Sequence, residues 1–295
     1  IMVKKHLLRV TGMKICVAGL GLIGGSMCMA LRRAGYSPEG WNRSPSPRLF
    51  ALENGIISAA AEKFTEYDVV FVALPPRAAV NFINANSFKD GAIVADICGV
   101  KEYIEREVYS GPRNFFYVGT HPMAGKEVSG IENACADLFD SASMVITCCR
   151  HTDPAALGTV KRLTKDMGFK RIVECSASVH DKKIAYTSQL AHVVSNAYIK
   201  DGRSSGCLGF TGGSFQDMTR IAGVDENVWA ELYLLNSANL CAGISALVGH
   251  LEEIERAVEA GDEAALRDVL AAGRECFERS RAYAPEGDVT VTQLK

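Results

Sequence analysis

The sequence predicts an α/β fold, a doubly wound parallel sheet followed by an all-helical domain, and three observations carry that expectation. At 295 residues the chain exceeds the size at which one hydrophobic core usually stops growing, which calls for two domains. From Met13 to Cys175 short apolar runs alternate with helix-like segments, the rhythm of βαβ units. Beyond Cys175 the strand signal nearly vanishes and helical spacing takes over. The domains are therefore drawn as 1–176 and 177–295.

Each element follows from its local pattern. KICVAGL reads as a strand, and GGSMCMALRRAG as a helix stopped by glycine. EGWNR is a short strand candidate. YDVVFVALP is the clearest buried strand, closed by Pro75 and Pro76, and GAIVADIC, FFYVGTHP and ASMVITCC repeat the theme. Asp153 to Gly168 reads as a helix and KRIVEC as a further strand. Ser178–Lys200, Ser214–Ala222, Asn227 to about Ala257, and Asp262–Tyr283 then show helical spacing, with a loose tail after them. There is no internal repeat and no low-complexity linker.

Composition narrows the function. Hydrophobic residues at 48% and charged residues at 22% are ordinary for a globular chain, which argues against disorder. A formal net charge of -2 without any block of like charges gives no support to a nucleic-acid or anionic-membrane partner. No apolar run reaches the roughly 18 residues of a membrane span. The opening IMVKKHLLRVTG is too short and interrupted for a signal peptide. The ten cysteines are scattered, with no C-x-x-C pair or zinc-ligand spacing, so no metal site is expected and the thiols are expected to stay reduced in a cytoplasm.

GLGLIGGS sets Gly19, Gly21 and Gly24 in G-x-G-x-x-G register between a strand and a helix. The first glycine permits the tight turn, the second lets backbone approach a pyrophosphate, and the third lets helix and strand pack closely. With Leu22 and Ile23 opening the helix toward the phosphates, this is a Rossmann-type dinucleotide site. Leu74 and Pro75, at the end of the most apolar strand, are expected to line it. About twenty residues past the loop an acid would accept the ribose hydroxyls of NAD. Here Asn42, Arg43 and Ser44 stand instead. Asn42 does not repel a 2′-phosphate, and Arg43 with Ser44 can bind one, so the reading leans to NADP with NAD left open. The plain alternative is an arginine solvated in a turn.

Four stretches in order, ADICGVK (Ala95–Lys101), GTHPMAGKEVSG (Gly119–Gly130), HDKKIAYTSQLAH (His180–His192) and FTGGSFQDMTRIA (Phe210–Ala222), resemble the prephenate dehydrogenases, whose fold the arogenate dehydrogenases share. The resemblance runs from about Lys14 to beyond Trp229. It implies a Rossmann-type domain followed by a helical dimerisation domain, a homodimer, and an NAD(P)-dependent enzyme making a tyrosine precursor. The reaction it implies is oxidative decarboxylation of prephenate to 4-hydroxyphenylpyruvate. Hydride leaves C4 for the nicotinamide as the 4-hydroxyl loses its proton, and CO2 departs as the ring aromatises. One group must take the proton and cations must hold a dianion; no metal is required.

The resemblance assigns the proton acceptor to His121, at the carboxyl end of a predicted strand, where open α/β sheets present ligand-binding residues. A neutral imidazole suits that role. Arg220 in DMTRIA matches a carboxylate-binding arginine, whose fork a lysine does not reproduce. Glu127 matches an acid that shapes the substrate pocket, while Lys126 reads as solvated. Gln189 and His192, spaced i,i+3 beside Ser188, share a helix face and are further substrate candidates; His192 has the alternative of capping a helix–helix contact. Trp229 matches a family tryptophan and is ranked as core. Asp96 and Lys101 are expected to tie their loop together.

Two departures stand out. Gln189 occupies a position where the family often has histidine, which bears on the grip on the side-chain carboxylate and on prephenate versus arogenate. Cys98-Gly99 replaces a Gly-Ser pair whose hydroxyl bonds the reacting alcohol or its histidine; Gly99 leaves room for a water, and Cys98 reads as a small packed residue. The rival readings are an arogenate dehydrogenase and a non-catalytic NAD(P)-binding sensor that keeps the fold.

Overall fold

The computed structural model describes residues 12–207, 209–282 and 290–293. The opening segment up to residue 11 and the expected helix end at Tyr283 lie outside the described residues. The chain divides into two compact units, Ile1–Ile184 with Gly223–Leu235 and Thr290–Lys295, and Ala185–Ala222 with Asn236–Val289. The first unit is thus discontinuous, taking back a helix from the C-terminal part.

In the first unit, β1 (Ile15–Ala18), β2 (Glu39–Trp41), β3 (Val69–Val72), β4 (Ile93–Asp96), β5 (Phe116–Pro122), β6 (Ser143–Thr147), β7 (Arg171–Cys175) and β8 (Thr290–Gln293) form one sheet ordered β2-β1-β3-β4-β5-β6-β7-β8. Its helices are α1 (Leu22–Arg33), α2 (Pro45–Glu53), α3 (Pro76–Ala85), α4 (Glu102–Tyr109), α5 (Pro154–Asp166), α6 (Ala177–Ile184) and α9 (Glu226–Leu235). Alternation explains the layering. Ile15, Val17, Val69, Phe71, Ile93 and Ala95 point into one apolar cluster. Cys16, Ala18, Val70, Val72 and Val94 point into the other. Successive strand residues face opposite sides, so runs apolar at every position require helices on both faces.

Two features differ from the sequence reading. β5 and β6 run antiparallel, with His121 opposite Val145, whereas every other neighbouring pair is parallel. A parallel connection needs a crossover, usually a helix. The β5–β6 connection has only the 3-10 turn Ile131–Asn133, so the chain turns back at the carboxyl end of β5. Residues 290–293, read as part of a loose tail, form β8 and pair in parallel with β7.

The second unit holds a five-residue π-helical turn (Ala185–Gln189), α7 (Leu190–Ile199), α8 (Gly213–Thr219), α10 (Ser237–Glu259) and α11 (Glu263–Ala282). The helix expected from Asn227 onwards is two helices broken at Asn236, whose φ of -123° and ψ of 27° leave the helical region. Its buried amide is spent on side chains, donating to Gln189 Oε1 at 2.9 Å and accepting from Asn239 Nδ2 at 2.8 Å. Asparagine competes with backbone for such bonds and so favours caps over helix interiors. Among the described residues no single helix is long and apolar enough to cross a membrane.

Candidate active site

The glycine loop behaves as its spacing requires. Gly19 has φ +107°, and a Cβ there would lie 2.1 Å from the Ala73 carbonyl oxygen. One on Gly24 would lie 1.8 Å from the Gly19 oxygen, so both positions exclude any side chain. At Gly21 the space is open, with no atom within 4 Å of a built Cβ. Gly21 caps α1 without a side-chain bond, and the first turn of α1 holds no acid. The helix therefore presents its first N–H groups and the positive end of its dipole beside an unobstructed cradle, which fits a pyrophosphate. Leu22 is buried and Ile23 half-buried at the start of α1. Leu74 and Pro75 follow β3 at the same edge, half-buried and exposed respectively.

Asn42 is committed locally. Its Oδ1 accepts from the Leu20 backbone N–H at 3.0 Å and its Nδ2 donates to the Ser44 carbonyl at 3.2 Å, tying the end of β2 to the glycine loop. Arg43 and Ser44 are exposed just before α2, and Ser44 caps that helix without using its hydroxyl.

His121 sits one residue from the carboxyl end of β5, half-buried. Its Nδ1 lies 2.9 Å from Nε2 of His180, which is buried on α6. His180 Nδ1 in turn lies 2.6 Å from Asp181 Oδ1. On the other side, a Cβ built on Gly99 would lie 3.7 Å from His121 Nε2 and 3.4 Å from Leu232 Cδ2 of α9, ordinary contacts that leave room for a substituent. Burial, then the neighbouring His180 and then the Lys101 ammonium hold the His121 pKa well below its ordinary value. Burial also lowers that of His180, against the pull of its bond to Asp181. Both rings are therefore neutral near pH 7.

A buried ionic knot positions this pair. Lys101 and Asp96 are both wholly buried, and the ammonium bonds Asp96 Oδ2. The same oxygen accepts from the Cys98 N–H at 2.8 Å, and Oδ1 accepts from the Tyr117 hydroxyl at 2.6 Å. Thr120, next to His121, donates its hydroxyl to the Asp96 carbonyl at 2.6 Å. Asp181 accepts the backbone N–H groups of Lys101 and Glu102 at 2.8 and 2.9 Å, capping α4 while it holds His180. Asp96 and Lys101 thus do tie the loop together. Cys98 is packed as expected, with burial pushing its thiol far up in pKa. Sequence reasoning missed His180 and Asp181, although the His-Asp pair lay inside a quoted motif. The adjacent His-Asp pair in a segment read as helical was the available signal, and its burial only the structure shows.

The other candidates lie on further elements. Glu127 and Lys126 lie exposed in the β5–β6 connection, where Lys126, solvated as expected, also donates to the Asn133 carbonyl at 3.3 Å. Trp229 is not core: it is half-buried on α9 and stacks edge-on with Tyr233 at 5.6 Å. The α9 helix is fixed to the first unit by Glu231, whose carboxylate accepts from the Arg77 N–H in the first turn of α3 at 2.6 Å. Gln189, His192 and Arg220 belong to the second unit. Gln189 is buried in the π-turn against Asn236, His192 donates Nδ1–H to the Ile221 carbonyl at 2.9 Å, and Arg220 is exposed at the end of α8. Among the described residues no group of three or more His, Cys, Asp or Glu could hold a metal ion.

Fold and site together define a Rossmann-type nucleotide-binding protein with a neutral imidazole presented at the carboxyl edge of its sheet. Comparison with known families narrows this. Residues 27–173 match the prephenate dehydrogenase nucleotide-binding domain and residues 176–272 the prephenate dehydrogenase dimerization domain. The chain belongs to the prephenate dehydrogenase family of oxidoreductases, which includes the arogenate and cyclohexadienyl dehydrogenases. It is 27% identical over 265 residues to the cyclohexadienyl dehydrogenase of Zymomonas mobilis, covering 84% of this chain and 89% of that one. The prephenate dehydrogenase of Bacillus subtilis is 27% identical, over 84% of this chain and 71% of its own. Among solved structures, prephenate dehydrogenase from Aquifex aeolicus in complex with hydroxyphenyl propionate and NAD+ superposes with a TM-score of 0.80 at 26% identity, covering 92% of this chain and 98% of that one. The Synechocystis arogenate dehydrogenase gives 0.75 at 26% identity, over 91% and 100%.

Proposed function

We propose that this chain oxidises and decarboxylates prephenate to 4-hydroxyphenylpyruvate with NAD(P)+ as oxidant, working as a homodimer. The observation that carries the reading is His121 at the carboxyl end of β5, its Nδ1 engaged by His180 and its Nε2 on the side of Gly99, which bears no side chain. A bound nicotinamide supplies the acceptor for the hydride from C4. His121 takes the proton of the 4-hydroxyl as the C4–H bond breaks. The electron pair of the bond to the leaving carboxylate then aromatises the ring, and the same imidazole returns the proton to the new phenol oxygen. No net proton is released, so one neutral base suffices. Arg220 holds a substrate carboxylate, and Gln189, His192 and Glu127 contribute to the pocket.

The cofactor phosphates rest on Gly19, Gly21, Leu22, Ile23 and Gly24, with Leu74 and Pro75 alongside. We read NADP as the preferred cofactor. The unused Ser44 hydroxyl, the exposed Arg43 and the start of α2 together offer a 2′-phosphate two kinds of donor and a dipole, and no acid there repels it. Asn42 acts by holding the loop rather than by meeting the ribose. The homodimer reading is supported by the matched dimerization domain and by exposed apolar side chains on the long helices of the second unit: Val248, Leu251 and Val258 on α10, and Leu270 and Phe277 on α11.

The deciding experiment crosses prephenate and arogenate against NAD+ and NADP+, following reduced nicotinamide by absorbance. A higher kcat/KM on prephenate supports the proposal. Arogenate oxidation is the second reading, favoured by Gln189, whose buried amide bonds Asn236 and brings no cation. Preference for arogenate would select it. Nucleotide binding with no reduction on either substrate would leave the non-catalytic sensor.

A further inference from the structure

We infer that His180 and Asp181 are positioning residues that fix which nitrogen of His121 is the base, an inference that deepens the proposed reaction and rests on it. Hydrogen-bond direction along a chain of three groups fixes the choice. A carboxylate only accepts, so the Asp181 oxygen 2.6 Å from His180 Nδ1 requires the proton on that nitrogen. The neutral His180 then has a lone pair at Nε2. That lone pair faces His121 Nδ1 at 2.9 Å, so His121 must carry its proton on Nδ1 and donate it. The remaining nitrogen of His121, Nε2, is left unprotonated, and it is the one facing Gly99.

Each link is itself held. The main chain of α4 pins both Asp181 oxygens, so Asp181 cannot turn away from His180 without uncapping that helix. The charges around the pair are the Lys101 ammonium and the Asp96 and Asp181 carboxylates. Lys101 disfavours a second cation on either ring, which keeps both imidazoles neutral and the chain of donors one-directional. Without His180, His121 Nδ1 would have no acceptor at that position. The ring would then be free to place its proton on Nε2, where it cannot take another.

The test is a pair of variants on the full chain. His180→Leu removes the acceptor at similar volume, and His180→Gln offers an amide oxygen in its place. Two readouts are taken: kcat and KM on the substrate found active, and two-bond 1H–15N spectra of the histidine rings, with His121 assigned by its loss in His121→Asn. Expected is a His121 Nε2 resonance in the unprotonated class in the wild type. In His180→Leu it should shift toward the protonated class, with kcat down by about 10²-fold or more and KM for substrate and cofactor little changed. His180→Gln should restore both signatures in large part. A folded His180→Leu protein with the wild-type His121 spectrum or wild-type kcat would overturn the inference. A wild type inert toward both prephenate and arogenate would instead sink the proposed reaction, while the spectra alone would still decide the direction of the chain.

Discussion

Replacing Lys101 by Met removes the ammonium from the buried knot while keeping most of the apolar stem. Asp96, wholly buried, would then face its full charge with neutral donors, the Tyr117 hydroxyl at 2.6 Å and the Cys98 N–H at 2.8 Å among them. Breaking a buried ion pair by removing one partner costs about 3–5 kcal/mol, because the other charge is left uncompensated. The start of α4 should survive, since its bonds to Asp181 come from the backbone of residues 101 and 102. For a chain of this size the loss corresponds to a fall of roughly 6–20 °C in Tm, at about 2–4 °C per kcal/mol. Both tryptophans, Trp41 and Trp229, lie in the first unit, so their emission during urea unfolding reports on the part that is perturbed. A double-mutant cycle with Asp96→Asn should recover much of the loss, because the second change removes the stranded charge. A single-variant loss below about 1 kcal/mol, the range of exposed pairs, with no coupling in the cycle, would refute the knot as the element that positions the site.

Four further outcomes are expected. His121→Asn should lower kcat by about 10²–10⁴-fold with little change in cofactor binding; near-normal turnover would remove His121 from the reaction. Arg220→Ala should mainly raise KM for the substrate, and an unchanged KM in steady-state assays would place the carboxylate elsewhere. Arg43→Ala should weaken NADP and spare NAD in fluorescence titrations, whereas equal losses would reject the 2′-phosphate reading. For pH, His121 and His180 are held below their ordinary value of 6.5, so they bind protons more readily unfolded than folded. Stability should therefore decline as pH falls below about 6.5 and level off only below the folded values. The acid limb of kcat should also lie below 6.5, and a limb above it would contradict a base kept neutral by burial.

How much of this was legible beforehand can be judged residue by residue. The strands of residues 13–175 were readable because a strand buried on both faces must be apolar throughout, a property of a few consecutive residues. Gly19 and Gly24 were readable for the same local reason: one needs a left-handed φ and the other a helix start too close for a side chain. His121 was legible through its motif and its place at a strand end. The reversal of β6, the break at Asn236, the return of α9 to the first unit and the half-buried setting of Trp229 were not.

What the sequence determined by itself is therefore the set of local elements and the identity of the residues that could do chemistry. Tertiary structure alone decided which nitrogen those residues present. His121 and His180 are 59 positions apart, and Asp181 caps a helix that begins 79 positions before it. Such pairs have no signature in spacing, because they meet only once the sheet order and the packing of α4 and α6 are set. A single chain position fixes a residue type; the direction of a proton along three side chains is fixed by distances between elements far apart in the sequence.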